Sequence, residues 1–163
     1  MVVRAGVVYS AMGIPSMDIV GLPDAAVKES KERIKAAVKN SELIFPQRKI
    51  IINLAPADTK KEGTHYDLPI AVSVLISSGQ IMCENINEYI ILGELALDGS
   101  IRGVNGVLPM VIAARENRIK KVIVPFDNAK EAAVVSDIEV YGAKNLTEVV
   151  NHLNGEEKIE RIS

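Results

Sequence analysis

A mixed α/β fold is what this sequence predicts, on three observations. Short β-branched runs alternate with segments whose apolar residues recur every three or four positions. Hydrophobic residues make up 48% of the chain, yet four Tyr, two Phe and no Trp leave Val, Ile, Leu and Ala to fill the core. The pair Asp98-Gly99, set between apolar runs, marks one hairpin. A chain of 163 residues is expected to form one domain, here 1–155, with 156–163 as a charged linker or tail.

Each element follows from its residues. Residues 2–9 read as a strand, 13–15 as a turn at Gly13 and Pro15, and 18–20 as a second short strand. Pro23 suits the first turn of a helix, where its missing N–H has no partner to lose. Over 24–40, Ala26, Val27, Ile34, Ala37 and Val38 fall on one arc, and Lys28, Lys31, Lys35 and Lys39 on nearly the opposite one. Glu29 and Arg33 are an i,i+4 pair. Residues 48–54, with Ile50-Ile51-Ile52, predict a strand buried on both faces. Residues 68–77 are apolar all round, which predicts a buried helix stopped at Gly79.

A long strand is expected over 89–97, turning at Asp98-Gly99 into a return strand over 100–104. Val107, Met110, Val111 and Ala114 have helical spacing. A strand at 121–125, an Ala-rich helix at 128–135 and a strand at 138–141 follow. Asn145 caps a last helix with Glu148 in the capping-box position, and Leu146, Val149, Val150 and Leu153 form its apolar stripe. Gly155 ends it; the remaining residues carry too little apolar surface to pack by themselves.

Composition excludes several classes. No apolar run approaches the roughly 20 residues of a membrane span, so no membrane partner is expected. The first residues lack the basic and apolar regions of a secretory signal. Cys83 is the single cysteine, which rules out an internal disulfide and a cysteine-based zinc cluster; cytoplasmic residence is the default expectation. A net charge of −2 argues against a strongly basic nucleic-acid binder, though not against a local basic patch.

Three blocks carry a resemblance: Asp18-Ile-Val-Gly-Leu-Pro-Asp-Ala-Ala-Val-Lys-Glu-Ser30, the stretch from Asn53 to Ala71, and Gly93-Glu-Leu-Ala-Leu-Asp-Gly99. Together they resemble the N-terminal domain of the magnesium-chelatase-like AAA+ proteins, the ComM/YifB group of bacteria, from about Gly13 to Gly155. The resemblance implies a fold like domain 2 of ribosomal protein S5, as in the proteolytic domain of Lon. It implies that the natural protein continues into an AAA+ ATPase domain, where ATP and magnesium would bind, and assembles as a hexamer. Members like ComM are described as ATP-dependent motors that promote DNA branch migration during natural transformation. Chelation of magnesium into a porphyrin is not implied for this group. The stretch before Gly13 is shorter than the family's usual N-terminal strands, and no Gly-x-x-x-x-Gly-Lys-Ser/Thr occurs in the chain. The chain is therefore expected to be a fragment that needs no cofactor of its own.

The Lon-like pattern makes hydrolysis the first activity to weigh. Its nucleophile loop matches Lys61-Glu-Gly-Thr-His-Tyr-Asp67, with His65 in the Ser position; its Lys position falls on Met110, in the stretch from Val104 to Ala114. A thioether cannot take a proton from a hydroxyl, and imidazole gives no acyl-ester nucleophile of that type. No catalytic residue is expected. His65 with Asp67 could be a base and its orienting carboxylate; the simpler reading has Asp67 capping the helix that follows and His65 bonding to loop backbone. A degenerate hydrolase is the alternative this leaves open. His65 and His152 are far apart with no helical partner, so no metal site is expected.

The remaining candidates are interaction surfaces. Lys28, Lys31, Lys35 and Lys39 could line up against phosphates or simply form a solvated face diluted by Glu29 and Glu32. Lys60 and Lys61, with His65 and Asp67, form a candidate interaction loop. No aromatic is interleaved with either lysine group, so a stacking platform is not supported. Gly99, Gly103 and Gly106 fit a hairpin and a helix entry better than a phosphate loop, and Cys83 lies beside Glu84 rather than a base. The leading expectation is a non-catalytic N-terminal module of such a motor, serving assembly with its own AAA+ domain, DNA contact or coupling. A stand-alone DNA-binding adaptor is the other alternative.

Overall fold

Isoleucines at alternate positions organise the first sheet. The computed structural model describes residues 4–11, 16–20, 24–55 and 66–162. Strands β1 (Arg4–Ala11) and β2 (Ser16–Val20) precede helix α1 (Asp24–Asn40), and β3 (Lys49–Ala55) returns between them in the order β1-β3-β2. β3 pairs antiparallel with β1, Tyr9 opposite Ile51, and parallel with β2, Met17 opposite Ile50. Met17, Ile19, Ile50 and Ile52 are buried, while Ile51 is half-buried and Asp18 and Val20 are exposed. The expectation of a strand buried on both faces is therefore corrected: one face carries the core and the other stays partly open. Ile34, Ala37 and Val38 of α1 are buried, on the predicted arc, with Val27 packed at its margin. The expected turn at 13–15 and Pro23 lie outside the described residues.

Helix α2 (Asp67–Ser77) is buried along most of its length, as its uniformly apolar sequence predicts. The long strand expected over 89–97 is two short ones, β4 (Tyr89–Ile91) and β5 (Glu94–Leu95). Gly93 separates them, since a Cβ there would lie 2.9 Å from Ile101 Cγ2 and 3.3 Å from Leu68 Cδ2. The hairpin is present: β5 pairs antiparallel with β6 (Ile101–Arg102). Ala96 N donates to Ser100 O and Gly99 N to Ala96 O, so the loop is Leu97-Asp98-Gly99, with Gly99 at a left-handed φ of 93°.

The rest builds a second sheet. Helix α3 (Val107–Glu116) leads to β7 (Lys121–Pro125), helix α4 (Ala129–Ala132), β8 (Glu139–Ala143), helix α5 (Leu146–Leu153) and β9 (Arg161–Ile162). The strand order is β4-β7-β8-β9, the first three parallel. Successive side chains of this sheet divide between two cores. Tyr89, Ile91 and Ile123 join α1, α2 and α5 on one side; Ile90, Leu92, Val122 and Val124 join α3 and α4 on the other. Asn145 accepts from Glu148 N at 2.8 Å, as predicted, while the Glu148 carboxylate takes Lys144 N.

Two sequence expectations give way to packing. The helix expected over 128–135 is one turn, preceded by a 3-10 turn over Phe126–Asn128. Asn128 there spends its amide on the backbone of Val104, accepting at 2.9 Å and donating at 2.9 Å. The segment 156–163 was expected to be a charged linker or tail unable to pack by itself; its last described residues add an antiparallel edge strand to β8, Ile162 opposite Val140. Ile159 and Ile162 supply the apolar contacts, and the free edge of β8 supplies the hydrogen-bonding partners.

Candidate functional site

Asp67 begins α2, with Pro69 placed in the first turn where its lack of an N–H costs no helical bond. The residue preceding the helix is Tyr66, which makes no side-chain cap, so the expected capping by Asp67 is corrected. The Asp67 side chain points across to α1 and the hairpin instead. Ser30 Oγ donates to Oδ1 at 2.7 Å, Arg33 Nε to Oδ2 at 2.7 Å, and an Arg33 terminal nitrogen to Oδ1 at 3.1 Å. Leu95 N adds a bond to Oδ2 at 3.1 Å. The carboxylate is 2% exposed and saturated by donors from two elements, α1 and β5. The hydrogen bond to Asp67 raises the Arg33 pKa, keeping the guanidinium charged. Glu29, the partner expected for Arg33, lies at 3.9 Å and is a loose second contact. Asp67 thus acts as a brace between α1, α2 and β5. His65, Lys60 and Lys61 lie outside the described residues.

Met110 sits half-buried on α3 and packs against the second core, a role any thioether fills. His152 is buried on α5, 1% exposed. Its Nδ1 accepts from Ile159 N at 2.9 Å, so Nε2 carries the proton and donates to the Tyr89 hydroxyl at 3.1 Å. Burial, then Lys158 and Lys121, pushes its pKa down to about 4. Burial likewise pushes the Tyr89 hydroxyl up to about 12. A neutral imidazole with both nitrogens occupied is a fastening for the chain's last strand, not a base facing solvent. Cys83 Sγ donates to Asn85 Oδ1 at 3.0 Å. Among the described residues no three His, Cys, Asp or Glu side chains come together as metal ligands.

The lysine stripe is divided by the fold. Lys28, Lys35 and Lys39 are exposed and Lys31 is half-buried. A groove lies at the C-terminal end of α1, lined by Lys35, Lys39, Arg48 and the apolar residues Leu43 to Pro46. Lys35 Nζ sits 5.6 Å from the centre of the Phe45 ring. No aromatic is interleaved with the lysines in sequence; Phe45 follows the helix after a turn and its ring lies against Lys35. Leu43 N donates to Val38 O, and the Gln80 amide both accepts from Ile44 N at 2.9 Å and donates to Ile44 O at 2.7 Å. Arg48 and Phe45 were missed in the sequence because only that turn brings them beside Lys35.

The family model described as subunit ChlI of Mg-chelatase matches residues 7–128. Competence protein ComM of Haemophilus influenzae is 41% identical over 152 residues, 93% of this chain and 30% of that protein. The uncharacterized protein YifB of Escherichia coli is 40% identical over 154 residues, 94% of this chain and 30% of that protein. Lon protease 2 of Borreliella burgdorferi is 29% identical over 148 residues, covering 83% of this chain and 18% of the protease. The chain spans about 30% of the length of ComM and YifB.

Proposed function

The chain belongs to the ChlI family of magnesium-chelatase subunits, and from that premise we propose that it serves as a non-catalytic N-terminal module of an ATP-driven motor of the ComM/YifB type. The motor would be an AAA+ ATPase that binds ATP and magnesium in a separate domain, assembles as a hexamer in the cytoplasm and moves DNA strands, as in branch migration. This module would contribute assembly, DNA contact or coupling.

The observation that carries the non-catalytic reading is the saturation of Asp67 by Ser30, Arg33 and Leu95. A carboxylate so occupied has no lone pair left to orient a neighbouring imidazole. Met110, in the position a Lon-like protease gives to its lysine, supports the same reading. The relationship to a competence protein supports the DNA side of it.

The test compares a full-length ComM/YifB-type protein carrying this chain with a version lacking it. The expected result is loss of ATP-driven strand exchange, with ATP hydrolysis retained by the remaining part. Unchanged strand exchange and unchanged hexamer mass after deletion would overturn the reading. So would casein or ATP hydrolysis by the purified chain that a point substitution within it abolishes.

A further inference from the structure

We infer that the groove at the C-terminal end of α1 is a binding site for single-stranded DNA, using Lys35, Lys39 and Arg48 against the phosphates. The inference rests on the reading above that the module contributes DNA contact, and names where that contact is made.

Charge is the first argument. Three cations line the groove, and no carboxylate is among its lining residues. Lys39 and Arg48 form no ion pair among the described residues, so their charge is not already spent. Lys35 is steered by the Phe45 ring rather than by an acid. Glu42 is exposed in the same connection but does not line the groove. Lys28, by contrast, shares its helical neighbourhood with Glu29 and Glu32 and lies about 16 Å along the helix from Lys39.

Shape and polarity decide the kind of strand. Ile44 is 72% exposed, yet its backbone is clamped on both sides by Gln80. A large exposed apolar side chain on a clamped backbone, beside three cations with no carboxylate partner among the described residues, suits a ligand with an anionic backbone and uncovered apolar faces. Single strands offer both; a duplex keeps its base faces stacked inside. An acidic peptide would match the charge but not Ile44 and the half-buried Phe45.

The test is fluorescence anisotropy of the chain with a labelled oligothymidylate of about 20 nucleotides, across salt from about 50 to about 200 mM. Three phosphate contacts predict a slope of log affinity against log salt of about −2, a roughly 20-fold loss over that range. Lys39→Gln/Arg48→Gln is expected to reduce the slope to about −0.7, and Lys28→Gln/Lys31→Gln to leave it unchanged. Ile44→Ser should weaken binding without altering the slope. No salt-dependent binding, or a slope indifferent to Lys39 and Arg48, would overturn the assignment. Tighter binding of the matching duplex, of oligouridylate, or displacement by polyglutamate at equal charge would also overturn it. None of these outcomes bears on the deletion test of the motor reading, so the two fail separately.

Discussion

Arg33 meets Asp67 side-on, with Nε 2.7 Å from Oδ2 and a terminal nitrogen 3.1 Å from Oδ1. This fork-to-fork pair fastens α1 to the start of α2, while Leu95 N ties the hairpin to the same carboxylate.

 

Removing Arg33 leaves the buried Asp67 carboxylate without its counter-charge, and removing Asp67 leaves the half-buried Arg33 with only the loose Glu29 contact. Asp67→Ala and Arg33→Ala are each expected to destabilise the chain by about 3 kcal/mol in urea unfolding. The double variant should lose clearly less than the sum, because the stranded charge disappears with its partner. Ser30→Ala should cost about 1 kcal/mol, the worth of one hydrogen bond.

Acid should weaken the fold through His152. Its folded pKa, about 4, lies below the ordinary 6.5. Between those values the unfolded chain takes up a proton that the folded chain refuses, so stability falls as pH drops from 6.5 to about 4. The gap corresponds to about 3 kcal/mol. Unfolding free energies measured across that window should fall less steeply in His152→Gln than in the parent chain.

The last strand should support both β8 and His152. A chain ending at Gly155 loses β9, the Ile159 N–H donor and the nearby Lys158 charge. Expected outcomes are a loss of about 1–3 kcal/mol, faster amide exchange along β8, and a His152 pKa that rises toward its ordinary value by NMR titration.

Gly99 should resist substitution for two separable reasons. Its φ is 93°, and an added Cβ would lie 2.5 Å from Ser41 Oγ. Gly99→Ala is expected to cost about 2 kcal/mol in thermal or urea unfolding. Adding Ser41→Gly should recover the part due to the clash and leave the part due to the backbone.

Local signals alone determined much of this protein: the α1 arc, the Asn145 cap, the hairpin at Asp98-Gly99 and the mixed α/β class. Each depends on residues a few positions apart, whose spacing fixes which side chains share a face. The three motif blocks pointed to the family in the same way. Tertiary structure decided the rest. Asp67 read as a helix cap because a cap is the nearest use for a carboxylate before an apolar run; Ser30 and Arg33 reach it from more than thirty positions away. The chain's last residues read as a loose tail because two isoleucines cannot pack alone, and they pack once β8 offers an edge and His152 an acceptor. The groove joins Arg48 to Lys35 and Lys39 through one turn of backbone, and nothing in the spacing of charges records that turn. Contacts between residues distant in sequence depend on how elements pack, and the periodicity of one element carries no information about its neighbour's position.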